Sequence, residues 1–294
     1  MRVFVTGATG FIGSVVVKDL IEAGHSVLGL TRSDAGAREL AAARAEAHRG
    51  SLEDVESLRS GAASADAVIH TAFNHDFSRF QQDCDEDRKA IEAMGEVLAG
   101  SGKTLIVTSG VALVAQGRPA TEDDAPPSLG SGFPRASEHA AAAVEKLGVK
   151  SMVIRLPQVH DTEKQGLITY LIQTARQTGV SAYVGDGENR WAAAPRYSAA
   201  GLYRLALEKG RSGARYHAVA EEGVRVREIA EAIGRGLKVP VKSLSQEEAN
   251  AHFGFLGRLV GIDLTASSEK TRKELGWSSS GPALLSDLGN MKFA

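Results

Sequence analysis

A disulfide within the chain is excluded at the outset, because the chain carries a single cysteine, Cys84. One thiol can neither close a bridge within the chain nor build a cysteine-based zinc cluster. His48, His75 and Asp76 do not have ligand spacing either, so no metal site is expected. A surplus of one charge is also missing: 34 Lys and Arg stand against 36 Asp and Glu, a formal charge of −2. Nucleic acid as the main partner calls for a basic excess, so that class falls away. No apolar run approaches the roughly 20 residues that cross a bilayer. Lys18 interrupts the only apolar stretch near the N-terminus, and no basic segment precedes it. The expectation is a cytoplasmic protein with no membrane partner.

What is present is enough for a large core. A chain of 294 residues with 43% hydrophobic content buries roughly 75% of its unfolded surface without staples. The first half alternates β-rich runs at 2–5, 26–31, 67–70, 104–108 and 151–156 with helical stretches at 11–23, 37–47, 52–62, 76–99 and 135–146. The strands read as continuous apolar runs (VFV, AVIH, LIV, MVI), as expected when both faces of a parallel sheet are covered. The pattern predicts an α/β fold, a Rossmann-type doubly wound parallel sheet with ligands at the strand C-termini. Residues 1–156 form the expected dinucleotide-binding domain. Residues 157–294 form mainly a smaller α/β substrate lobe, with some segments returning to the first core.

In that lobe helices are expected at 166–177, 198–208, 227–237, 246–253 and 268–275. Ser198 and Ser268 are the candidate N-caps, and Gly210 the stop. Residues 110–134 read as a long loop, a lid or a partly disordered segment, with Glu122, Asp123 and Asp124 as a solvated acidic turn.

The strongest chemical signal is TGATGFIG at 6–13, after the first strand and opening the first helix. Gly7 permits the tight turn, Gly10 lets backbone N–H groups approach a pyrophosphate, and Gly13 lets helix and strand pack closely. Thr6, Thr9, Phe11 and Ile12 complete the candidate phosphate turn. At the end of the second strand, where an acidic residue would select NAD, stand Thr31, Arg32 and Ser33. Arg32 can grip a 2′-phosphate with a planar fork, helped by the Thr31 and Ser33 hydroxyls, and Asp34 reads as a helix N-cap. The expected cofactor is therefore NADP(H) in preference to NAD(H).

These residues resemble the extended or atypical short-chain dehydrogenase/reductases, the NAD-dependent epimerase/dehydratase superfamily. TGATGFIG is followed by GSLED at 50–54, DAVIHTAF at 66–73, RLPQVHD at 155–161 and SSEKTRKELGW at 267–277, each similar to a family segment and in the family's order. The resemblance implies that Ser51 and Leu52 lie beside the adenine, that Thr71, Ala72 and Phe73 run past the ribose and nicotinamide, and that Pro157 belongs to the turn closing over the cofactor. It also implies a Ser or Thr with Tyr-x-x-x-Lys as proton relay. None of the five tyrosines has Lys four residues later, and the family's Ser, Tyr and Lys positions align with Gly110, Gly130 and Pro134. Ser109 and His160 are the candidate replacements, with Thr108 beside Ser109. His139 reads as surface or interhelical, His70 as core, and Arg135 as a solvated helix-start residue or a group orienting a substrate oxygen. Met152, Phe133, Phe253, Phe255 and Trp191 are apolar pocket candidates, each of which taken singly reads first as core.

The expected function is an NADPH-dependent ketoreductase acting on a bulky, aromatic or polyketide-type ketone in secondary metabolism. Its proton would come from water or from a hydroxyl of the substrate. The alternatives are a catalytically silent NADP(H)-binding regulator and a sugar-nucleotide epimerase or dehydratase. Nothing in the sequence sets the oligomeric state.

Overall fold

The computed structural model describes residues 1–130 and 133–293. The first half runs β1 (Arg2–Thr6), α1 (Gly13–Glu22), β2 (Ser26–Thr31), α2 (Asp34–Ala42), β3 (Glu46–Arg49), α3 (Val55–Ala63), β4 (Ala67–His70), α4 (Phe80–Leu98), β5 (Thr104–Gly110), α5 (Ser137–Glu145) and β6 (Lys150–Leu156). The chain continues with β7 (Gln158–His160), α6 (Ile168–Thr178), β8 (Ser181–Val184), β9 (Arg190–Pro195), α7 (Arg196–Lys209), β10 (Arg215–His217) and β11 (Glu221–Arg225). It ends with α8 (Val226–Leu237), β12 (Val241–Leu244), α9 (Gln246–Phe253), α10 (Gly257–Val260), α11 (Glu269–Leu275) and α12 (Leu284–Asn290).

A 7-stranded sheet has the order β10-β6-β5-β4-β1-β2-β3, and every pairing in it is parallel. The α/β doubly wound architecture is as the sequence predicts. Successive side chains of a strand point to opposite faces, and here both faces are covered. Val3 and Val5 pack with Val16, Leu20, Leu202 and Tyr203 of α1 and α7. Phe4, between them, packs with Leu58, Ile91 and Met94 of α3 and α4. This two-sided burial is why the central strands contain no polar alternation. The chain winds outward from β1 in both directions, so a crevice opens between the ends of β1 and β4.

The second half supplies β10 to the edge of the large sheet and lays α7 against α1. Trp277, just past α11, donates its indole N–H to Ser198 O at 3.0 Å and so ties α7 to the C-terminal segment. The remaining lobe has its own core of Ile168, Leu171, Trp191, Ile229, Ile233, Phe253 and Leu264. Its small sheets are β11-β9-β7 and β12-β8. Among the described residues no helix is long and apolar enough to cross a membrane, and no three His, Cys, Asp or Glu side chains group as metal ligands.

Several local expectations are corrected. The second helix ends at Ala42 rather than at residue 47, because Glu46–Arg49 forms the edge strand β3. Ser33, not Asp34, caps α2: its hydroxyl accepts the Gly36 N–H at 3.1 Å. Ser198 lies inside α7, whose N-cap position is Pro195, and its hydroxyl donates to Ser280 O. Ser268 does stand at the N-cap position of α11, but its hydroxyl donates to Val219 O instead of capping.

The described part of 110–134 is anchored rather than free, Ser131 and Gly132 lying outside the described residues. Ala120 bridges to Ala266, and the buried Glu122 accepts the Thr271 N–H at 2.8 Å and its hydroxyl at 2.7 Å. Asp123 pairs with Lys270, and Asp124 with Arg118. Arg155, fully buried, donates to Asp124 O at 2.8 Å and to Glu138. Glu122 is thus a buried lock on the segment, while Asp123 stays on a solvated turn.

Candidate active site

The crevice continues into a cleft of about 750 Å³ that runs from the glycine turn across the strand ends to the second lobe. Gly7 adopts φ +66°, a left-handed conformation that side chains resist. A Cβ on Gly13 would lie 2.8 Å from Thr71 Oγ1 and run into Gly7 O, and one on Gly10 would lie 3.0 Å from Gly7 O. The turn therefore needs its glycines, and the absent side chains leave backbone facing the cleft. Gly10 donates to Gly7 O, while the N–H groups of Phe11 and Ile12 have no acceptor among the described residues. No acidic residue occupies the first turn of α1. Free N–H groups at a helix start form an anion cradle, and this one fits a pyrophosphate.

Thr9, Gly10, Phe11, Ile12 and Gly13 all line the cleft, as do Ser51, Leu52, Thr71, Ala72, Phe73 and Pro157. Two expected contacts are displaced. Thr6 is buried beneath the turn, its hydroxyl 2.8 Å from His70 Nδ1. Ser33 turns to cap α2 and is not part of the cleft wall. Arg32 does line the cleft, is exposed, and makes no hydrogen bond or ion pair among the described residues. Of its acidic neighbours, Asp34 is held by Arg49, while Glu53 on the cleft wall feels the Arg32 charge without forming an ion pair with it.

Sequence reasoning missed the cations that the second half brings to the glycine turn. Arg196 donates to Ser14 Oγ at 2.8 Å and to Phe11 O, and its guanidinium lies 4.5 Å from the Phe11 ring centre. Lys164 reaches the same ring at 5.6 Å and lines the cleft. These residues lie far from the turn in sequence, so no local pattern reports them.

Beyond the turn lie Thr108, Ser109 and Gly110 at the end of β5. The Thr108 hydroxyl donates to His70 O at 2.7 Å and pairs with the Tyr203 hydroxyl at 2.8 Å, so it is fully engaged. The Ser109 hydroxyl has no hydrogen-bond partner among the described residues. His160, the other candidate acid, is fully buried: Nδ1 lies 2.7 Å from Asp287 Oδ2, and the ring does not reach the cleft. Its proposed acid role is corrected to that of a buried structural pair. His139 is bonded to Pro127 O at 2.9 Å. Among the described tyrosines only Tyr170 lines the cleft, and burial pushes its phenol up. That is the opposite of the activation a lysine partner would give.

The far wall is aromatic. Phe73, Phe77, Phe80, Phe133, Tyr170 and Trp191 line it, together with Leu167, Leu259 and Leu264. Phe77, from the segment after β4, stacks on Phe255 of the second lobe at 3.9 Å between centres. Of the apolar pocket candidates, Met152 and Phe253 belong instead to buried cores.

The profile of the NAD(P)H-binding family matches residues 7–183. The uncharacterized protein C2A9.02 of Schizosaccharomyces pombe is 46% identical over 99% of this chain and 99% of its own length. The 4-hydroxy-2-methyl-3-oxo-4-farnesyl-3,4-dihydroquinoline-1-oxide ketoreductase of Stigmatella aurantiaca is 26% identical over 95% of this chain and 92% of its own. Among solved structures, the dTDP-glucose 4,6-dehydratase DesIV of Streptomyces venezuelae, with NAD and TYD bound, superposes with a TM-score of 0.79. It covers 99% of this chain and 96% of its own at 18% identity, a likeness of fold.

Proposed function

The chain belongs to the NAD(P)H-binding family, and from that premise we propose that it is an NADPH-dependent reductase of a bulky, aromatic or polyketide-type ketone. The observation that carries the reading is the continuity of one cleft, with an anion cradle and the free Arg32 at one end and an aromatic wall at the other. An apolar, ring-lined cavity suits a flat hydrophobic ligand. The name of the Stigmatella aurantiaca relative, a farnesylated dihydroquinoline ketoreductase, supports the same class. An angucyclinone-type ketone, of the kind reduced in simocyclinone biosynthesis, is the finer form of this proposal.

When bound, the reduced nicotinamide supplies the hydride. The protein's part is to hold the phosphates on the glycine turn, to select the 2′-phosphate with Arg32, and to press the ketone flat against the aromatic wall. No tyrosine–lysine relay is assigned; the proton comes from water or from a hydroxyl beside the carbonyl. The test follows NADPH absorbance across a panel of aromatic ketones. Ketones with an adjacent hydroxyl are consumed; their O-methyl ethers, shown to bind by a separate titration, are spared where that hydroxyl gives the proton and consumed where water does. NADPH binding with no turnover of any ketone would instead support the regulator.

A further inference from the structure

Two positions before α5, at the boundary between the cradle and the aromatic wall, a guanidinium has been placed with more care than a surface arginine needs. Arg135 lines the cleft, its guanidinium 4.4 Å from the Phe73 ring centre. Its Nε donates to Ser137 Oγ at 3.0 Å and one terminal nitrogen, Nη2, to Thr108 O at 3.2 Å. The other terminal nitrogen, Nη1, has no acceptor among the described residues. Behind it, Ser137 Oγ donates to Asp87 Oδ2 at 2.5 Å, and Asp87 Oδ1 lies 3.1 Å from His70 Nε2. His70 in turn meets Thr6 at the end of β1. His70, Asp87 and Ser137 are all buried. Burial works against a charged Asp87, yet the hydrogen bond and charge of His70, the charge of Arg135 and the Ser137 hydroxyl together keep its carboxyl below the ordinary value.

The strand order says which end of a bound dinucleotide faces this group. Arg32 lies on the β2 side of the glycine turn and β4 and β5 on the other side of β1. A phosphate-bearing end at Arg32 therefore sends the opposite end toward Phe73, Thr108 and Arg135. Building on the reductase reading above, we propose that Arg135 is a catalytic residue that receives the charge developing on the ketone oxygen, positioned for this by Ser137 and Asp87.

The step balances without a protein acid. A hydride with its electron pair, from the reduced nicotinamide, forms the new C–H bond at the carbonyl carbon. The C=O π bond breaks and its pair moves to oxygen, where the Arg135 N–H groups donate to it. Water then gives that oxygen its proton and leaves as hydroxide, which the bulk solvent neutralises, so the products are the alcohol, hydroxide and the oxidised cofactor. Arginine stays charged at working pH and donates hydrogen bonds without surrendering a proton, which suits a site without a tyrosine. The other two cleft cations lie on the phosphate side, Lys164 over Phe11 and Arg32 at the end of β2.

The test uses the full chain loaded with NADP⁺ and the planar phenol 2-naphthol, whose oxygen stands in for the charged ketone oxygen. Naphtholate absorbance against pH reads its ionisation when bound. In the wild type the bound phenol ionises about one pH unit or more below free naphthol, roughly a tenfold preference for the anion. Arg135→Met abolishes the part of that shift not due to the nicotinamide charge, and Arg135→Lys keeps some of it. At saturating NADPH, ketone turnover falls roughly 10²- to 10³-fold in Arg135→Met, the range for losing an oxyanion donor. NADPH affinity, read by fluorescence, stays within about threefold. An unchanged naphtholate shift in Arg135→Met, or no naphthol binding by the wild type, overturns the proposal. So does a loss confined to NADPH affinity, which would make Arg135 a cofactor anchor. A wild type that holds naphtholate through Arg135 yet reduces no ketone supports the oxyanion site and overturns the reductase reading instead.

Discussion

Arg32 and Asp34 stand close together at the end of β2, and their partners separate their roles. Asp34 is occupied by Arg49 and opens α2, whereas Arg32 reaches the cleft with its guanidinium unpaired. An unpaired cation at that rim favours a phosphate over a bare ribose hydroxyl. Arg32→Ala should weaken NADPH binding by roughly 10- to 100-fold, the loss of one charged hydrogen-bonded contact. NADH binding should barely change, and parallel fluorescence titrations decide it; equal losses would remove the basis for the preference. At this scale the sequence was most legible where the chemistry is local. Gly7, Gly10, Gly13 and Arg32 are set by spacing within one strand–turn–helix unit. Thr6, Ser33 and His160 were misplaced because their partners, His70, the α2 backbone and Asp287, decide which way each side chain turns. For Thr6 and His160 those partners also lie far along the chain. Arg135 was read at the right position, but Asp87 on α4, which holds its partner Ser137, could not be seen from its neighbours in sequence.

Elements show the same division. The central strands were legible because burial on both faces makes them uniformly apolar. The edge strand β3 was missed because Glu46–Arg49 (EAHR) is polar and half-exposed, with no alternation to mark it. The segment 110–134 read as loose because the locks on its first part, Thr271, Lys270 and Arg155, come from α11 and β6. One consequence of that locking can be measured. His217 on β10 holds Ser267 O at 2.8 Å with Nδ1, and its Nε2 lies 3.3 Å from Arg155 Nη1, so the neutral ring fits the site. Glu122 and Glu138 face it and favour the charged ring, but burial dominates and pushes its pKa down to about 4 from the ordinary 6.5. The unfolded chain then binds the proton first. Stability contributed by His217 is complete above pH 6.5 and lost as pH falls toward 4, at up to about 1.4 kcal/mol per pH unit. Urea unfolding from pH 7 to 4 should show a shallower decline for His217→Gln than for the wild type. Parallel curves would show that the buried ring does not titrate in this way.

The molecule as a whole places its chemistry through strand order. A crevice at the β1–β4 boundary receives the phosphates, β2 carries Arg32 to one side, and β4 and β5 carry Phe73, Thr108 and Ser109 to the other. The second half closes the cleft from above with Tyr170, Trp191 and Lys164, while β10 and α7 bind it into the first core. In the proposed reductase this cleft moves a hydride from a nicotinamide to a flat ketone without a tyrosine relay. The most direct measurement is a single turnover with NADPH deuterated at the transferable C4 position and a hydroxyl-bearing aromatic ketone, with the product analysed by mass spectrometry. One deuterium is expected on the carbinol carbon of the alcohol. Unreacted ketone in a complex shown to hold both ligands, or an alcohol without the label, would contradict it.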